Sequence, residues 1–188
     1  MKAIGIVGSP RKNGNTEILT NHTLKAIAEE GIDIELIRLA GLDIKPCTGC
    51  IECKDEENCP LKDDLLPVYH RMKEADAIIL ASPVYFSSVT GLMKSFMDRA
   101  GYVGYWRKAF QGKVGGPLVV GRRAGHNFTH AQLTCWFQVL GFTLASSTYW
   151  NVAFGGREKG EVEQDEEGLK TAWNFGKNIA LLVQKLKT

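Results

Sequence analysis

KAIGIVGSPRKNGNTEIL, residues 2–19, changes its periodicity part-way along. KAIGIVG (2–8) is a short apolar, β-branched run closed by glycine, the pattern of a strand buried on both faces of a parallel sheet. SPRKNGNT follows as a loop of turn-forming residues. Apolar residues then recur at three-to-four spacing through Ile18, Leu19, Leu24, Ile27 and Ala28 until Gly31 stops the helix. Strand, polar loop and helix in this order open a βα unit.

The same alternation continues outward. IDIELIRL (32–39) reads as a second strand, and DAIILASP (76–83), VGGPLVVG (114–121) and TLASSTYWNVAF (143–154, irregular) as the third to fifth. Helices are predicted over KDDLLPVYHRMKEA (62–75), SSVTGLMKSFMDRA (87–100), NFTHAQLTCWFQVLGF (127–142) and EEGLKTAWNFGKNIALLVQKLK (166–187). Asp63 or Asp64 is placed to cap the first of these, where Pro67 is tolerable only in the opening turn. The last helix presents Leu169, Trp173, Ile179, Ala180, Leu182, Val183 and Leu186 as its apolar face. Five strands alternating with helices give an α/β, doubly wound parallel sheet with helices on both faces and a cysteine-rich insertion (45–62) after strand two. Residues 1–188 are expected to form a single domain, since no repeat or linker divides them. Sheets of this class bind ligands beyond the carboxyl ends of their strands, so the loops after strands one, three and four should carry the chemistry.

Composition narrows the function classes. The 188 residues are 44% hydrophobic and 23% charged, with 23 basic against 21 acidic residues, a net charge of +2. That balance gives no global attraction to nucleic acid or membrane. No apolar run reaches the roughly 18 residues of a membrane span, and MKAIGIVGSP is too short and strand-like for a secretory signal. The expected compartment is cytoplasmic, where clustered cysteines serve as metal ligands or redox thiols more often than as disulfides.

GSPRKNGNT (8–16) offers Ser9, Asn13, Asn15 and Thr16 as short polar donors, Arg11 as a cationic fork and Gly14 for a tight turn, just ahead of a helix N-terminus. This suits a phosphate cradle, and equally a well-capped helix with a solvent-facing arginine. It lacks the Gly-Lys-Ser/Thr of a Walker loop and the spacing of a dinucleotide fingerprint. One basic side chain suits a monophosphate. Together with SPVYFSSVTGLMKSFMDR (82–99), the loop resembles the phosphate and isoalloxazine loops of flavodoxin-like NADPH-dependent FMN reductases. The resemblance covers most of the chain. It implies FMN as cofactor, with Ser9, Arg11, Asn13, Asn15 and Thr16 on the phosphate and Pro83, Val84, Tyr85, Phe86 and Ser87 along the ribityl chain and ring. PVYF offers the flat apolar wall that a flavin needs, on a proline-stiffened loop. In GRRAGHNF (121–128), Gly125 is placed to approach the ring, and Arg122 or Arg123 to meet a nicotinamide dinucleotide's phosphate or simply solvent.

PCTGCIECKDEENCP (46–60) holds Cys47-x2-Cys50-x2-Cys53-x5-Cys59 followed by Pro60. Two-residue gaps let successive sulfurs converge, and the longer return adds a fourth, enough for one [4Fe–4S] centre. Free or redox-active thiols and a zinc site are the other readings, with disulfides disfavoured by compartment. The motif resembles that of the iron–sulfur flavoproteins of anaerobes, where it carries a [4Fe–4S] cluster that feeds FMN across a subunit interface. LKDDL (61–65) also fits cluster-free reductases of the same superfamily. Cys135, beside Trp136 and Phe137, is expected in the core.

The resemblance thus implies an FMN-dependent electron-transfer oxidoreductase. Its donor is a ferredoxin-like protein or NAD(P)H, its acceptor a small molecule or another redox protein, and its assembly a homodimer or homotetramer. A cluster-free NAD(P)H-dependent FMN or quinone reductase and a flavodoxin-like shuttle are the alternatives; the pI of about 8.2 speaks against the shuttle, flavodoxins being acidic. His126 and His130 are four apart but lack the companions of a metal site, and no hydrolase motif is present. Tyr102, Tyr105 and Trp106, in GYVGYWRKAF (101–110), suit a lid over the flavin, a dimer contact or a packed loop.

Overall fold

The computed structural model describes residues 1–187. In chain order the elements are β1 (Lys2–Val7), α1 (Asn15–Ala28), β2 (Asp33–Arg38), α2 (Leu65–Glu74), β3 (Ala77–Pro83) and α3 (Gly91–Tyr105). They continue with β4 (Val114–Gly121), α4 (His126–Val139), β5 (Thr143–Leu144), β6 (Val152–Phe154) and α5 (Glu166–Lys187). The sheet order is β2-β1-β3-β4-β5, with β6 also on β4, and every pairing is parallel. This is the expected doubly wound sheet.

β1 shows why the strand is apolar throughout. Ile4 and Ile6 point into a core shared with Tyr69, Met72, Phe96 and Phe137 of α2, α3 and α4. Ala3 and Val7 point into a second core, with Leu19, Leu24, Phe175 and Ile179 of α1 and α5. Alternate residues therefore face opposite layers, and each fully buried large side chain contributes about 1.5–3 kcal/mol.

The fifth strand position is filled by two short strands, and Pro117 accounts for the break. Toward this edge Thr143 N bonds Lys113 O, Ala145 N bonds Gly115 O, and Val119 N donates to Asn151 O. Pro117 falls in the same alternating row, where it has no N–H to offer. The chain leaves the ladder after Leu144 and rejoins it at Val152.

Several boundaries differ from the sequence expectation for local reasons. α3 starts at Gly91 because Thr90 Oγ1 accepts from Met93 N at 3.1 Å, while 85–88 form a tight turn. α2 starts at Leu65, with Pro67 in its first turn; Asp63 Oδ1 accepts from Leu65 N at 3.1 Å. α5 buries Ala172, Phe175, Gly176, Ile179, Ala180 and Val183, leaving Leu186 exposed and Trp173 half-buried over His22. Cys135 is exposed, not in the core: the buried face of α4 is set by Thr129, Leu133, Trp136 and Phe137.

Candidate functional site

The loops after β1, β3, β4 and β6 converge on a cleft of about 310 Å³ at the carboxyl ends of the strands. Its position beside β1 and β3 is the switch point of the strand order. Ser9, Arg11, Asn15 and Thr16 line it from the first loop, Pro83, Val84 and Tyr85 from the second, and Gly121 and Arg122 from the third. Gly155, Gly156 and Arg157 complete it. This last wall was missed by sequence reasoning, although GGR directly after the final strand was the available signal.

The first loop is braced from outside the cleft. Glu17, almost fully buried, accepts from Arg38 Nε at 2.8 Å and Nη2 at 2.5 Å, and from Asn13 N at 2.9 Å. The Arg38 fork, against the opposing effect of burial, holds the Glu17 carboxyl below its usual range, and the Asn13 amide helps. Asn13 itself is exposed at φ +55° and does not line the cleft. Asn15 lines it, but its side chain is also a clamp: Nδ2 donates to Glu158 O at 2.9 Å and Oδ1 accepts from Gly160 N at 2.8 Å. Arg11 Nη1 donates to Arg157 O at 2.7 Å, tying the first wall to the last. No side-chain hydrogen bond caps α1 at Gly14, which leaves first-turn amides available to an anion.

The second loop turns back on itself. Tyr85 and Ser88 exchange backbone hydrogen bonds of 2.9 and 3.0 Å around Phe86 (φ +49°) and Ser87 (φ +61°). Two consecutive non-glycine residues at positive φ are uncommon, and such strain concentrates at ligand sites. Phe86 is wholly exposed, and neither it nor Ser87 lines the cleft. Gly125, at φ +89°, lies against this turn: a Cβ there would meet Ser87 Oγ and Val84 Cγ1 at 2.9 Å. Val84, which lines the cleft, is thus brought together with Ser87 and Gly125 behind it.

The four clustered cysteines line a second, smaller cavity of about 150 Å³ with Gly49, Pro60, Arg99, Tyr102 and Val103. Cys47 and Cys50 are exposed, Cys53 and Cys59 half-buried. Burial pushes the Cys53 thiol up, and the neighbouring Cys59, Cys50 and Cys47 push it the same way, against a backbone hydrogen bond that lowers it. Among the described residues no three His, Cys, Asp or Glu side chains gather tightly enough to hold a single metal ion. The four thiols nevertheless line one cavity, and four cysteine thiolates are the donor set that a [4Fe–4S] centre would take. Donors already point at two sulfurs: Gly49 N to Cys47 Sγ at 3.5 Å and Arg99 Nη2 to Cys59 Sγ at 3.2 Å. Ile51, a β-branched residue at φ +66°, marks strain in the same loop.

Anchors from the body hold this segment. Arg99, 1% exposed, pairs with Asp63, 0% exposed. Tyr69 Oη donates to Glu57 Oε1 at 2.5 Å, and Arg107 Nη2 donates to Asp55 O at 2.5 Å. Tyr102 faces the cysteine cavity and Trp106 lies 5.8 Å from Lys54 Nζ, so these aromatics belong to the cysteine segment and not to a lid over the first cleft. α3 serves both sites: its cap Thr90 donates to Gly8 O at 2.6 Å, while Arg99 to Val103 lie about 14–20 Å further along its axis. His126 is buried against Phe154, 4.7 Å between rings, and His130 shares no metal-binding group with it among the described residues.

Residues 1–156 match the family described as NADPH-dependent FMN reductase. The chain belongs to the NADPH-dependent FMN reductase family. It is a flavin-dependent oxidoreductase, with FMN as cofactor. An iron-sulfur flavoprotein of Methanocaldococcus jannaschii is 42% identical over the full length of both chains. One of Methanosarcina thermophila is 30% identical over 100% of this chain and 97% of its own. Among solved structures, RosB with a bound 8-demethyl-8-formylriboflavin-5'-phosphate superposes with a TM-score of 0.78 at 16% identity, over 100% of this chain and 80% of that one. A flavodoxin from the domain Archaea gives 0.66 at 19% identity, with both chains covered in full. These two share the flavodoxin-like fold. No helix among the described residues is long and apolar enough to cross a membrane.

Proposed function

We propose that this chain is an iron–sulfur flavoprotein, a single FMN-binding domain whose cysteine segment, residues 45–62, holds a [4Fe–4S] cluster. The observation that carries the flavin site is the convergence of four loops at the switch point, polar at one end and apolar at the other. Ser9, Arg11, Thr16 and the uncapped first-turn amides of α1 take the phosphate, with Asn13 and Asn15 shaping the loop around it. Pro83, Val84 and Tyr85 line the ring side, and Phe86, Ser87 and Gly125 fix the turn that presents them. Cys47, Cys50, Cys53 and Cys59 ligate the cluster; the relatives' description as iron-sulfur flavoproteins supports this, as does their shared cavity. Bound in these sites, FMN supplies one- and two-electron chemistry and a cluster supplies one-electron transfer.

The electron donor in this reading is a ferredoxin-like protein, the acceptor a small molecule or second redox protein, the assembly a homodimer or homotetramer, and the compartment the cytoplasm. A second reading has one specific support. Arg122 and Arg157 flank the cleft beyond the single arginine that a monophosphate uses, and they suit NAD(P)H as a direct hydride donor.

Anaerobic purification with iron and flavin quantitation tests the proposal. About four irons per FMN are expected, with rapid flavin reduction by reduced ferredoxin. FMN without iron, after attempted reconstitution, removes the cluster and leaves the NAD(P)H reading. Equal affinity for FMN and riboflavin removes the phosphate site.

A further inference from the structure

Arg99 is the most deeply buried cation among the described residues, and its donors are unevenly used. Nη1 donates to Lys45 O at 3.1 Å and to Asp63 Oδ2, and Nη2 to Asp63 Oδ1 at 3.1 Å and Leu61 O at 3.4 Å. Nη2 also donates to Cys59 Sγ at 3.2 Å, and Nε is buried with no partner at all. Burying a guanidinium with one unsatisfied N–H is expensive. Tethering two chain segments does not by itself require it, since Lys113 tethers Lys73 O and Ala75 O through an ordinary ammonium.

Placement suggests what the guanidinium is for. It comes from α3, a rigid element, and not from the cysteine loop, so its fork is fixed before the sulfurs arrange around it. Asp63 and Lys45 O hold the plane, and the second Nη2 hydrogen is shared between Leu61 O at 3.4 Å and Cys59 Sγ at 3.2 Å, with the sulfur the nearer acceptor. Resting on the reading of the four cysteines as cluster ligands, the geometry points to Arg99 as a positioning residue that raises the reduction potential of that centre through a charge-assisted hydrogen bond to Cys59 Sγ. The reduced form of such a centre carries one more negative charge, and a cationic donor on a ligand sulfur favours it. Arg99 touches neither substrate nor flavin in this role; it biases the direction of electron flow.

The test is an anaerobic redox titration of the FMN-loaded protein, followed by the electron paramagnetic resonance of the reduced cluster. Arg99→Lys keeps the charge beside Asp63 but loses the fork that reaches Cys59. At the wild-type midpoint its reduced-to-oxidised ratio should fall about tenfold, which is about 59 mV for a one-electron couple. Tyr69→Phe and Arg107→Ala loosen the same loop at Glu57 and Asp55 without touching a sulfur, and should leave the midpoint in place. Equal shifts in all three variants, or no shift in Arg99→Lys at four irons per chain, overturn the inference. If Arg99→Lys loses its iron, wild-type protein carrying 15N-arginine decides. A guanidinium nitrogen coupled to the cluster spin supports the hydrogen bond, and no coupled nitrogen sinks it. Wild type without iron after reconstitution defeats the cluster reading, and this inference with it; iron present with an unmoved potential defeats only the inference.

Discussion

Replacing Asp63 by asparagine should be among the most destabilising isosteric changes in the chain. The Asp63 side chain is fully buried and its two oxygens accept four hydrogen bonds: two from Arg99, one from Lys45 N at 3.0 Å and one from Leu65 N at 3.1 Å. An amide presents NH2 where one oxygen stood, facing donors, and Arg99 loses its counter-charge at 1% exposure. Breaking a buried pair from one side costs about 3–5 kcal/mol, against a total stability of about 5–15 kcal/mol. Urea unfolding of the FMN-free protein at neutral pH, followed by tryptophan fluorescence, should show that loss, with earlier proteolytic cleavage within 45–62. Lys94→Ala, which removes an exposed i,i+4 pair with Asp98, is the control and should move stability by no more than about 0.5 kcal/mol. The pH dependence has a definite sign. Burial would raise the Asp63 carboxyl, but the Arg99 fork and the two amides overcome it and hold the carboxyl below its usual range. Its contribution is therefore complete above the unfolded value of about 4 and is lost as pH falls through the lower folded value. The gap between wild type and Asp63→Asn should close in acid. A loss under about 1 kcal/mol at neutral pH, or a gap that widens in acid, would refute the assignment of Asp63 as the counter-ion.

Other outcomes test the two sites separately. Gly125→Ala forces a side chain to φ +89° and into Ser87 and Val84, at about 1–3 kcal/mol of strain, and FMN fluorescence titration should show at least a tenfold weaker complex. Arg11→Ala should weaken FMN binding about tenfold while riboflavin affinity stays unchanged, measured in the same titration. Glu17→Gln unbraces the phosphate loop; because Arg38 is more than a third exposed, the stability loss should be only about 1–2 kcal/mol in thermal unfolding, complete above the unfolded carboxyl value of about 4.3 and shrinking as pH falls through the lower folded value. Serine at Cys47, Cys50, Cys53 or Cys59 should lower iron per chain with FMN content retained, whereas Cys135→Ser should alter neither, as read by metal and flavin analysis.

The sheet was legible because each strand is a short apolar run and each helix carries a three-to-four period. Those local patterns do not depend on distant partners. KAIGIVG needs only its own alternation to declare two buried faces, and SPRKNGNT needs only its turn residues to declare a loop. The cysteine spacing likewise announced a shared site without help from the rest of the chain. What stayed hidden involves residues far apart in sequence. Pro117 splits the fifth strand because its missing N–H happens to face that edge, a matter of register and not of propensity. Gly155, Gly156 and Arg157 become a wall of the cleft because β6 ends beside β1's loop, 146 residues away between Arg11 and Arg157. The sequence marked Arg99 as one more helical arginine. Only packing α3 under residues 45–63 desolvates it, sets Asp63 against it and turns Nη2 toward Cys59, since burial and charge pairing are properties of neighbours in space.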